Sequence, residues 1–530
     1  MKIINSNITK HLPQITLDYI NNKDYVVELF ERENLLENYF DQILDKKNNY
    51  NNNFRKPLAD VLSLNYEKVS KNSLQIQSIR NLNNNNTYTV TTGHQLNLFT
   101  GPLYFFYKII DSINICKRLK SKYPENEFIP VYWMASEDHD YKEINFFKTN
   151  DFLFKWDIST KGTVGKLKTN SLNKIYNEII DFFGKDNSNA KKIIELFKDS
   201  YINNKKLSSS TFNLVHSLFG KYGLLILNPD DVQLKKIICN DILDEIKNQD
   251  CYKSVNQTNE RLISFNIKPQ VNPRKINLFY IKNNVRSRIE KENSLYKVLD
   301  TNISFTEEEI FKEINSHPER FSPNVLFRTL YQEKILPNLA YVGGGSEIAY
   351  WLQLKDFFNI KDLTFPILVV RNSALLVSKK NIEKCKKLDI KVADLFQKNH
   401  ELTKTYLNKI SKLKIDLTEL KKTVNDNFLN LYKLSLETDK SFLGALKAQE
   451  TKQINGIEKL EKKLLKAQKK KHKEKLERLI LIKEELFPND SLQERQVNFS
   501  EFYRNYGNEF IDILFDNLNP FDNNFSVISL

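Results

Sequence analysis

The sequence predicts an α/β protein with a parallel sheet, followed by a long α-helical coiled coil. Two observations predict the sheet: strand, helix and strand alternate from Tyr88 onward, and several short apolar runs end at polar or glycine-rich turns. The coiled coil is indicated by apolar residues spaced three and four apart after Leu402. A chain of 530 residues provides roughly three or four structural units, so it can bury a large core.

The predicted sheet begins with the run Tyr88–Thr92. A helix follows over residues 102–122 and a second buried strand over Phe128–Ala135, which together form a parallel βαβ unit. We expect further strands at Asp151–Trp156, Tyr222–Leu227, Leu339–Val342 and Ile367–Arg371, and helices over 170–205, 231–250 and Ser346–Phe358. Residues 265–305 alternate short strands with asparagine turns, and residues 1–80 read as helices and loops.

The coiled coil is predicted as two helices of roughly 35–45 residues, each about 50–65 Å long, that form an antiparallel hairpin. Thr438-Asp439 is the predicted break between them, and Pro488 ends the second helix. The apolar seam consists of Leu413, Leu417, Leu420, Val424, Leu431 and Leu434, then Ile454, Ile457, Leu460, Leu464, Leu476, Leu479 and Leu486. The lysine cluster from Lys462 to Lys475 is interpreted as a solvated face, with a surface for phosphate or acidic ligands as the alternative.

The composition excludes several classes of protein. The chain is 40% hydrophobic and 12% aromatic, as globular proteins are, and it has no run of about 20 apolar residues that could span a bilayer. Its first residues lack a signal-peptide core, so we expect a cytoplasmic protein without a membrane partner. The four cysteines (Cys116, Cys239, Cys251, Cys385) have no metal-ligand or redox spacing, and no metal site is expected.

The net charge of +14 raises the question of a nucleic-acid partner. Lysine, asparagine, isoleucine, tyrosine and phenylalanine are all abundant, as A/T-rich codons produce, so part of the excess is compositional. Much of the charge also lies between Lys462 and Arg478, and no motif that reads DNA or RNA is present. We therefore expect no nucleic-acid partner.

The first candidate site follows the strand Tyr88–Thr92 and contains Gly93, His94, Gln95 and Asn97. A glycine turn between a strand and a helix N-terminus is a typical phosphate site, and His94 and Asn97 can stabilise charge on a phosphate. The alternative is an ordinary strand-to-helix connection with polar caps.

The second candidate site is Ser136–Asp140, directly after the strand Phe128–Ala135. Its members Glu137, Asp138, His139 and Asp140 can orient an amine, act as general base or hold a divalent cation. The alternative is a capped helix start.

The third candidate site lies between the strand Leu339–Val342 and a helix, and comprises Gly343, Gly344 and Gly345 with Tyr341 and Glu347 nearby. Three glycines permit close approach of a ligand, although no Walker A sequence follows. Because the carboxyl ends of parallel strands share one edge of the sheet, these sites predict a single ligand crevice.

The same segments resemble a known family. Thr92–Asn97, Trp133–Asp140 and Leu339–Gln353, together with Pro488–Phe499 and Asn519–Asp522, are similar in order and in sequence to the cysteine-adding enzymes of bacillithiol biosynthesis, the cysteine ligases. The resemblance covers nearly the whole chain. It implies a Rossmann-like core with inserted connecting segments, as in class I aminoacyl-tRNA synthetases, and a coiled coil that joins two chains into a homodimer.

The resemblance also implies a division of the chain into seven parts. The N-terminal segment and first half of the core are followed by a first insertion, a core continuation, a second insertion, the second half of the core, the coiled-coil arm and a C-terminal segment. Their ranges are 1–160, 161–215, 216–250, 251–335, 336–398, 399–487 and 488–530.

The activity that the resemblance implies is attachment of cysteine to the amine of glucosaminyl-malate, with a nucleoside triphosphate, ATP, and magnesium activating the carboxylate. Gly93, His94 and Asn97 stand where the synthetase nucleotide signature lies, with Asn97 in the place of its second histidine. In this scheme His94 and Asn97 stabilise a phosphate or oxyanion, and Asp138 or Asp140 positions or deprotonates the amine, with His139 as the alternative base.

The remaining expected contacts are with the substrate. Tyr341 and Glu347 contact an amine or sugar hydroxyls, and Arg328 or Arg371 binds the malate carboxylates with two bonds. Further expected substrate-binding residues are Gln95, Ser136, Glu137, Gly343, Gly344 and Gly345. Two other functions remain open: a different class I synthetase-like nucleotidyl transfer, and a non-catalytic scaffold with a basic coiled-coil arm.

Overall fold

The computed structural model describes residues 2–67, 73–184, 187–283, 285–411, 417–437 and 441–530. The chain divides into two compact units. Unit 1 comprises Met1–Leu375 and Glu494–Ile528, and unit 2 comprises Leu376–Gln493 and Ser529–Leu530. The predicted seven-part division is finer than this and stays a prediction.

The strands are β1 Lys2–Ile4, β2 Thr87–His94, β3 Glu127–Met134, β4 Phe146–Lys148, β5 Leu153–Lys155, β6 Leu225–Leu227, β7 Leu278–Lys282, β8 Val285–Glu292, β9 Leu295–Val298, β10 Ser304–Phe305, β11 Phe321–Pro323, β12 Asn338–Gly343, β13 Ile367–Val370, β14 Ser373–Val377 and β15 Phe525–Ser529.

The helices of the first half of the chain are α1 Ser6–Thr9, α2 Gln14–Ile20, α3 Asp24–Val27, α4 Tyr39–Asn49, α5 Arg55–Tyr66, α6 Ser73–Asn81, α7 Tyr104–Lys122, α8 Tyr141–Ile144, α9 Asn173–Phe183, α10 Ser188–Phe197, α11 Leu207–Phe219, α12 Val232–Ile237, α13 Cys239–Asn248 and α14 Asp250–Ser264. Those of the second half are α15 Glu307–Ser316, α16 Phe327–Ile335, α17 Gly345–Trp351, α18 Lys355–Ile360, α19 Lys379–Lys387, α20 Asn399–Ile410, α21 Thr418–Glu437, α22 Phe442–Lys471, α23 Lys473–Leu486, α24 Gln493–Gln496, α25 Ser500–Tyr506 and α26 Asn508–Asn517.

The centre of unit 1 is a five-stranded sheet of order β13-β12-β2-β3-β6, and every neighbouring pair in it is parallel. In register, Thr91 pairs with Tyr341 on one side and with Val131 on the other. The strands are almost completely buried, even the threonine-rich β2, because both faces of a parallel sheet are covered. The predicted parallel βαβ unit is confirmed by β2, α7 and β3.

Helix α7 packs against β2 and β3. Its residues Ile115 and Leu119 are buried in one cluster with Val90 and Val342 of the sheet. This packing fixes the position of the strands relative to one another. As a result β2, β3 and β12 end at His94, Met134 and Gly343, all on the same edge of the sheet.

The helices expected over 170–205 and 231–250 are each divided, the first into α9 and α10 and the second into α12 and α13. Other expected elements also differ from the structure. The helix predicted over Ser346–Phe358 is wrong as one element, because α17 ends at Trp351 and α18 begins at Lys355. Between them the buried side chain of Gln353 accepts hydrogen bonds from the backbone amides of Gln270 and Val271. A continuous helix would point the Gln353 side chain in another direction. The strand expected over Tyr222–Leu227 is shorter because Gly223, with φ of 82°, ends a preceding helical turn.

The strand-rich region predicted over 265–305 is confirmed as an antiparallel sheet of order β10-β9-β8-β7-β11. Its fifth strand, β11, has no counterpart in the sequence prediction. The strand expected at Asp151–Trp156 is β5, which pairs antiparallel with β4 outside the central sheet. Among the described residues, no helix is long and apolar enough to span a bilayer.

Unit 2 contains the long helices α21, α22 and α23. Lys421 pairs with Glu461 at 2.7 Å and Tyr432 donates to Glu450 at 2.7 Å, so α21 and α22 run antiparallel as predicted. The second predicted helix has a break at His472 between α22 and α23. Leu413 and the predicted break at Thr438-Asp439 lie outside the described residues.

The predicted apolar seam is only partly buried within the chain. Phe428 and Ile457 are buried between the helices, whereas Leu420, Leu431 and Leu460 are 47%, 41% and 60% exposed. The helices therefore carry an apolar face that the chain itself does not cover.

Candidate active site

The carboxyl ends of β2, β3 and β12 border a cavity of about 510 Å³, which we call the strand-edge cavity. Each of the three predicted polar turns contributes to its wall. Of the predicted site residues, the ones that line it are Gly93, His94, Gln95, Asp138, His139, Arg328, Tyr341 and Glu347. The structure thus brings together residues that are up to 254 positions apart, Gly93 and Glu347 being the extremes.

His94 is a buried imidazole at the end of β2. Its ring packs against Tyr104 and Phe105, with centroids 5.4 and 5.1 Å away, and Nε2 has no hydrogen-bond partner among the described residues. Burial, together with the positive charges of Lys108 and Arg371, holds the pKa of His94 well below its ordinary value. The ring is therefore neutral near pH 7, and Nε2 can bond an oxygen of a ligand in the cavity.

Glu347 is the centre of a polar network on the opposite wall. It accepts hydrogen bonds from Lys108 Nζ at 2.6 Å, from Tyr341 OH at 2.8 Å and from the Gly344 amide at 2.8 Å. Lys108 also donates to the Gly93 carbonyl oxygen, which ties the two turns together. Burial lowers the pKa of Lys108, although Glu347 offsets part of that effect. The network fixes the Glu347 carboxylate towards the cavity.

The position that a side chain at residue 93 would take is already filled by Tyr341, a member of this network. A Cβ atom at Gly93 would lie 3.2 Å from the hydroxyl oxygen of Tyr341. Few Cβ atoms in proteins have so close a contact, and the tyrosine is buried, so a side chain at Gly93 would displace Tyr341 from Glu347.

Two arginines, Arg286 on β8 and Arg328 on α16, face the cavity. Arg286 on β8 lies with its guanidinium 3.7 Å above the ring of Phe279 and donates to Ser322 Oγ and the Pro323 carbonyl oxygen, each at 3.1 Å. Burial and the charge of Arg328 lower the pKa of Arg286 to about 10. The guanidinium of Arg328 forms no ion pair or hydrogen bond with any described residue. Two neighbouring cations without a carboxylate bonded to either favour an anionic ligand.

Asp138 and His139 lie between the arginines and the end of β2. Gln95 Nε2 donates to Asp138 Oδ2 at 3.0 Å, and the His139 amide donates to Oδ1 at 2.7 Å. Burial acts to raise the pKa of Asp138, but Arg328 and these donors outweigh it, and the pKa lies below its ordinary value. Asp138 is consequently an ionised carboxylate at neutral pH.

The hydrogen bond that His139 receives from Arg286 determines which ring nitrogen of His139 carries the proton. Arg286 donates from a terminal nitrogen to Nδ1 of His139 at 2.7 Å, and a guanidinium can only donate. The ring proton of His139 therefore lies on Nε2. Burial and Arg286 lower the pKa of His139, so the ring is a neutral donor rather than a cation near pH 7.

Two predicted residues of the second turn form the cavity's supporting wall instead. Glu137 makes a buried ion pair with Lys235, whose Nζ also lies 3.3 Å from Asp230. Burial acts to lower the pKa of Lys235, but the two carboxylates outweigh it and raise the pKa. Ser136 Oγ donates to Asn228 Oδ1 at 2.5 Å, which joins the end of β3 to the end of β6.

Arg371, Asn97 and Asp140 also lie outside the lining. The terminal nitrogens of Arg371 donate to Glu494 at 2.7 Å and to the Asn372 carbonyl oxygen at 2.8 Å, so its ends are already occupied. Asn97 Nδ2 donates to the backbone of Glu143 at 3.2 Å. Asp140 is exposed at the start of α8.

The glycine run serves packing rather than the lining. A Cβ atom at Gly345 would lie 2.7 Å from a side-chain carbon of Leu12, so the N-terminal segment requires a glycine there. Gly344 donates its amide to Glu347, and Gly343 accepts at its carbonyl oxygen from the Arg371 amide at 2.8 Å. The space beside these glycines, where a ligand was expected, is filled by other residues of the chain.

Several lining residues have no counterpart in the sequence prediction, among them Tyr104, Lys108, Arg286 and Tyr350. Lys108 had a signal: it is a single lysine in the apolar stretch of α7 that runs from Phe105 to Ile115, and a charge in such a run indicates a buried partner. The sequence contains no such signal for Arg286, because this residue alternates with Arg288 in an ordinary strand pattern. Within the described part of the chain, no group of three His, Cys, Asp or Glu side chains is placed to hold a metal ion.

Two family models match the chain. Residues 1–372 match the model described as "Bacillithiol biosynthesis BshC, N-terminal Rossmann-like domain". Residues 374–530 match "Bacillithiol biosynthesis BshC, C-terminal coiled-coil domain". The two models meet close to the division between units 1 and 2.

The chain is also similar to curated proteins over its full length. A protein of Flavobacterium johnsoniae is 46% identical over 523 residues, which are 98% of this chain and 98% of that protein. One of Christiangramia forsetii is 45% identical over 98% of this chain and 97% of its own. One of Bacillus thuringiensis is 26% identical over 97% and 98%. All three are named "Putative cysteine ligase BshC".

Among solved structures, an arginyl-tRNA synthetase structure from Campylobacter jejuni covers 84% of this chain and 95% of its own at 10% identity, with a TM-score of 0.20. A likeness of that size carries no argument about the fold.

Proposed function

The chain belongs to the BshC family of bacillithiol biosynthesis and is a cysteine ligase, and from this premise we propose that it joins the carboxylate of cysteine to the amine of glucosaminyl-malate. The product is an amide, so the reaction forms a carbon–nitrogen bond. The site of this reaction is the strand-edge cavity.

The observation that carries the substrate assignment is the pair Arg286 and Arg328. Both guanidiniums face the cavity, and no carboxylate forms an ion pair with either among the described residues. Malate contributes two carboxylates, and arginine binds a carboxylate with two parallel hydrogen bonds. In this proposal Arg328 and Arg286 bind the malate part of the substrate. Arg371, the other predicted candidate, is bonded to Glu494.

The attacking amine is placed at Asp138. This carboxylate is ionised and held by Gln95, so it can accept an N–H of the amine as the nitrogen attacks the carbonyl carbon of cysteine and a proton leaves the nitrogen. His139 donates from Nε2 in this arrangement and is not the base, since its Nδ1 is occupied by Arg286.

The remaining wall binds the neutral or cationic parts of the substrates. Glu347 Oε1 accepts one hydrogen bond, from Tyr341, and retains room for a second donor. An ammonium group or a sugar hydroxyl fits this oxygen. The buried Lys108 ammonium lies 2.6 Å from Glu347 and compensates the charge of this carboxylate from beneath, while 28% of the Glu347 side chain remains exposed.

Activation requires a further component, because a free carboxylate does not condense with an amine in water. A nucleoside triphosphate, ATP, with magnesium would supply that activation by making one carboxylate oxygen of cysteine part of a phosphate leaving group, so that a carbon–oxygen bond breaks as the carbon–nitrogen bond forms. His94 fits this component, since its buried Nε2 has no partner among the described residues and can bond a phosphate or carboxylate oxygen. Asn97 fits less well, since its amide nitrogen is already bonded to Glu143.

The proposal includes a homodimer through unit 2. It is supported by the exposed apolar side chains of Leu420, Leu431 and Leu460, which lie on long antiparallel helices. Light scattering coupled to gel filtration measures the mass directly: a value twice 62.5 kDa supports the dimer, and a value of 62.5 kDa contradicts it.

The experiment that tests the reaction is an omission assay. The purified protein is incubated with cysteine, glucosaminyl-malate, magnesium and ATP, each component is left out in turn, and the thiol product is detected by mass spectrometry. Product that requires all components supports the proposal. Product without ATP contradicts the activation step, and turnover of ATP with an unrelated acid in place of cysteine would instead support another nucleotidyl transfer. A folded protein with no product under any condition favours the scaffold alternative.

A further inference from the structure

A second cavity of about 530 Å³ lies on the other side of β3, and we call it the neutral cavity. Met134 lines it, whereas the flanking residues Trp133 and Ala135 line the strand-edge cavity. Successive side chains of a strand point to opposite faces, so one strand end supplies a wall to each cavity. Asn228, directly after β6, forms the adjoining wall of the neutral cavity.

The chemistry of the neutral cavity is almost free of charge. Among the described residues, thirteen line it: four serines, four asparagines, one histidine, three apolar residues and one carboxylate, Asp199, with no lysine or arginine. The described lining offers no cationic side chain to a phosphate or carboxylate ligand; its one feature of that kind is the first turn of α11, at Ser208 and Ser209. The wall instead presents hydroxyl and amide groups, which both donate and accept hydrogen bonds.

Two of these polar groups are buried without a partner. Ser200 is fully buried, and its hydroxyl has no hydrogen-bond partner among the described residues. Nδ1 of His216 is likewise buried and unpartnered. A buried polar group without a partner costs stability, so a ligand that supplies the missing bonds is favoured in this cavity.

The backbone that carries Ser200 is unusual. Lys198–Ile202 forms a π-helical turn at the end of α10. Such wide turns are rare and are frequent at functional sites, because they re-aim side chains that an α-helix would direct elsewhere. Here the turn places Asp199 and Ser200 in the cavity wall opposite α11.

We propose that the neutral cavity binds an uncharged, hydroxyl-rich ligand, a sugar ring in its simplest form. The serine hydroxyls and asparagine amides match the alternating donors and acceptors of sugar hydroxyls. The apolar side chains of Phe212 and Met134 provide a surface for the C–H side of the ring. The volume is within the range of small-molecule sites. This site is separate from the proposed ligase site and does not depend on it.

The test uses the full-length protein and saturation-transfer NMR with the methyl glycosides of glucose, galactose, mannose and N-acetylglucosamine. We expect transfer to at least one glycoside. The variant Ser209→Trp, which adds a large side chain at an exposed position in the cavity wall, should abolish the signal. The matched control Ser63→Trp, on an exposed position of α5 outside the lining, should leave it unchanged.

Two further variants separate this site from the strand-edge cavity and from a folding defect. Ser200→Ala removes the buried hydroxyl with little change in volume and should weaken binding about fivefold. Arg328→Ala should leave glycoside binding unchanged. The proposal is overturned if no glycoside in the set binds to the native protein, or if binding survives Ser209→Trp. If the binding that survives Ser209→Trp is lost in Arg328→Ala, the sugar lies in the strand-edge cavity instead.

Discussion

The strand-edge cavity and the neutral cavity have nearly equal volumes, about 510 and 530 Å³, and share the end of β3 as a wall. The first is lined by Lys108, Arg286 and Arg328 with two carboxylates, whereas the described residues that line the second include no cationic side chain. The cations come from α7, β8 and α16, and none of them comes from the five-stranded parallel sheet. The comparison shows that the sheet edge provides position, while the elements packed against it decide charge.

The wall between the cavities is held by Glu137 and Ser136, which the sequence assigned to substrate binding. If they are structural, their loss should affect stability more than catalysis. If they contact substrate, the reverse should hold.

Glu137→Gln should lower the free energy of unfolding by about 3–5 kcal/mol, because it leaves the Lys235 ammonium buried without its main carboxylate. Since Lys235 has a raised pKa in the folded state, the pair's contribution is present at neutral pH and is lost only as the pH rises through that pKa. Chemical denaturation measures the loss. The control is Glu127→Gln, which breaks the exposed pair with Lys120 and should cost about 1 kcal/mol or less.

His94→Ala should lower kcat about 10²–10³-fold, because it removes the buried Nε2 at the end of β2, which has no hydrogen-bond partner among the described residues. Steady-state kinetics with the omission-assay components measures the change, and thermal unfolding checks that the packing with Tyr104 and Phe105 survives. His400→Ala, at an exposed position in unit 2, should keep full activity. Full turnover by His94→Ala would remove His94 from the chemistry.

Arg328→Ala should raise the KM for glucosaminyl-malate roughly 10–100-fold and leave the KM for cysteine nearly unchanged, because it removes charged hydrogen bonds to malate alone. The two KM values are measured separately at saturating concentrations of the other substrate. Arg288→Ala, two positions beyond Arg286 and outside the strand-edge cavity, is the matched control and should have little effect. An equal rise in both KM values would argue against a malate subsite here.

Ser136→Ala should lower the free energy of unfolding by about 1 kcal/mol and leave kcat and both KM values nearly unchanged. It removes one hydrogen bond to Asn228, whose Oδ1 still accepts from the Asp230 amide at 3.2 Å. Denaturation and kinetics on the same preparation measure the two effects. A fall of kcat beyond tenfold would show that Ser136 contacts substrate and that the wall assignment is wrong.

Unit 2 gives a different lesson from unit 1. The spacing of apolar residues predicted the antiparallel pair of α21 and α22 correctly, since helix pairing depends on residues three and four apart. It did not show that Leu420, Leu431 and Leu460 lie outside the contact between these helices. A heptad pattern identifies an apolar face, but it does not state which surface covers that face.

The sequence by itself determined the parallel strands of the central sheet and the polar turns that follow β2, β3 and β12. Both are local properties: the apolar runs make buried strands, and parallel strands must end on the same edge. From these alone, Gly93, His94, Gln95, Asp138, His139, Tyr341 and Glu347 could be assigned to one crevice, and Arg328 was added through the family resemblance.

Only the tertiary structure decided which members of each turn face the cavity. Glu137 is drawn to Lys235 and Arg371 to Glu494, partners that lie 98 and 123 positions away. Arg286 reaches the site because the antiparallel sheet that contains β8 packs there. A charged group in a low-dielectric interior is placed by its partner, and partners at such separations are brought together only when the whole chain has folded.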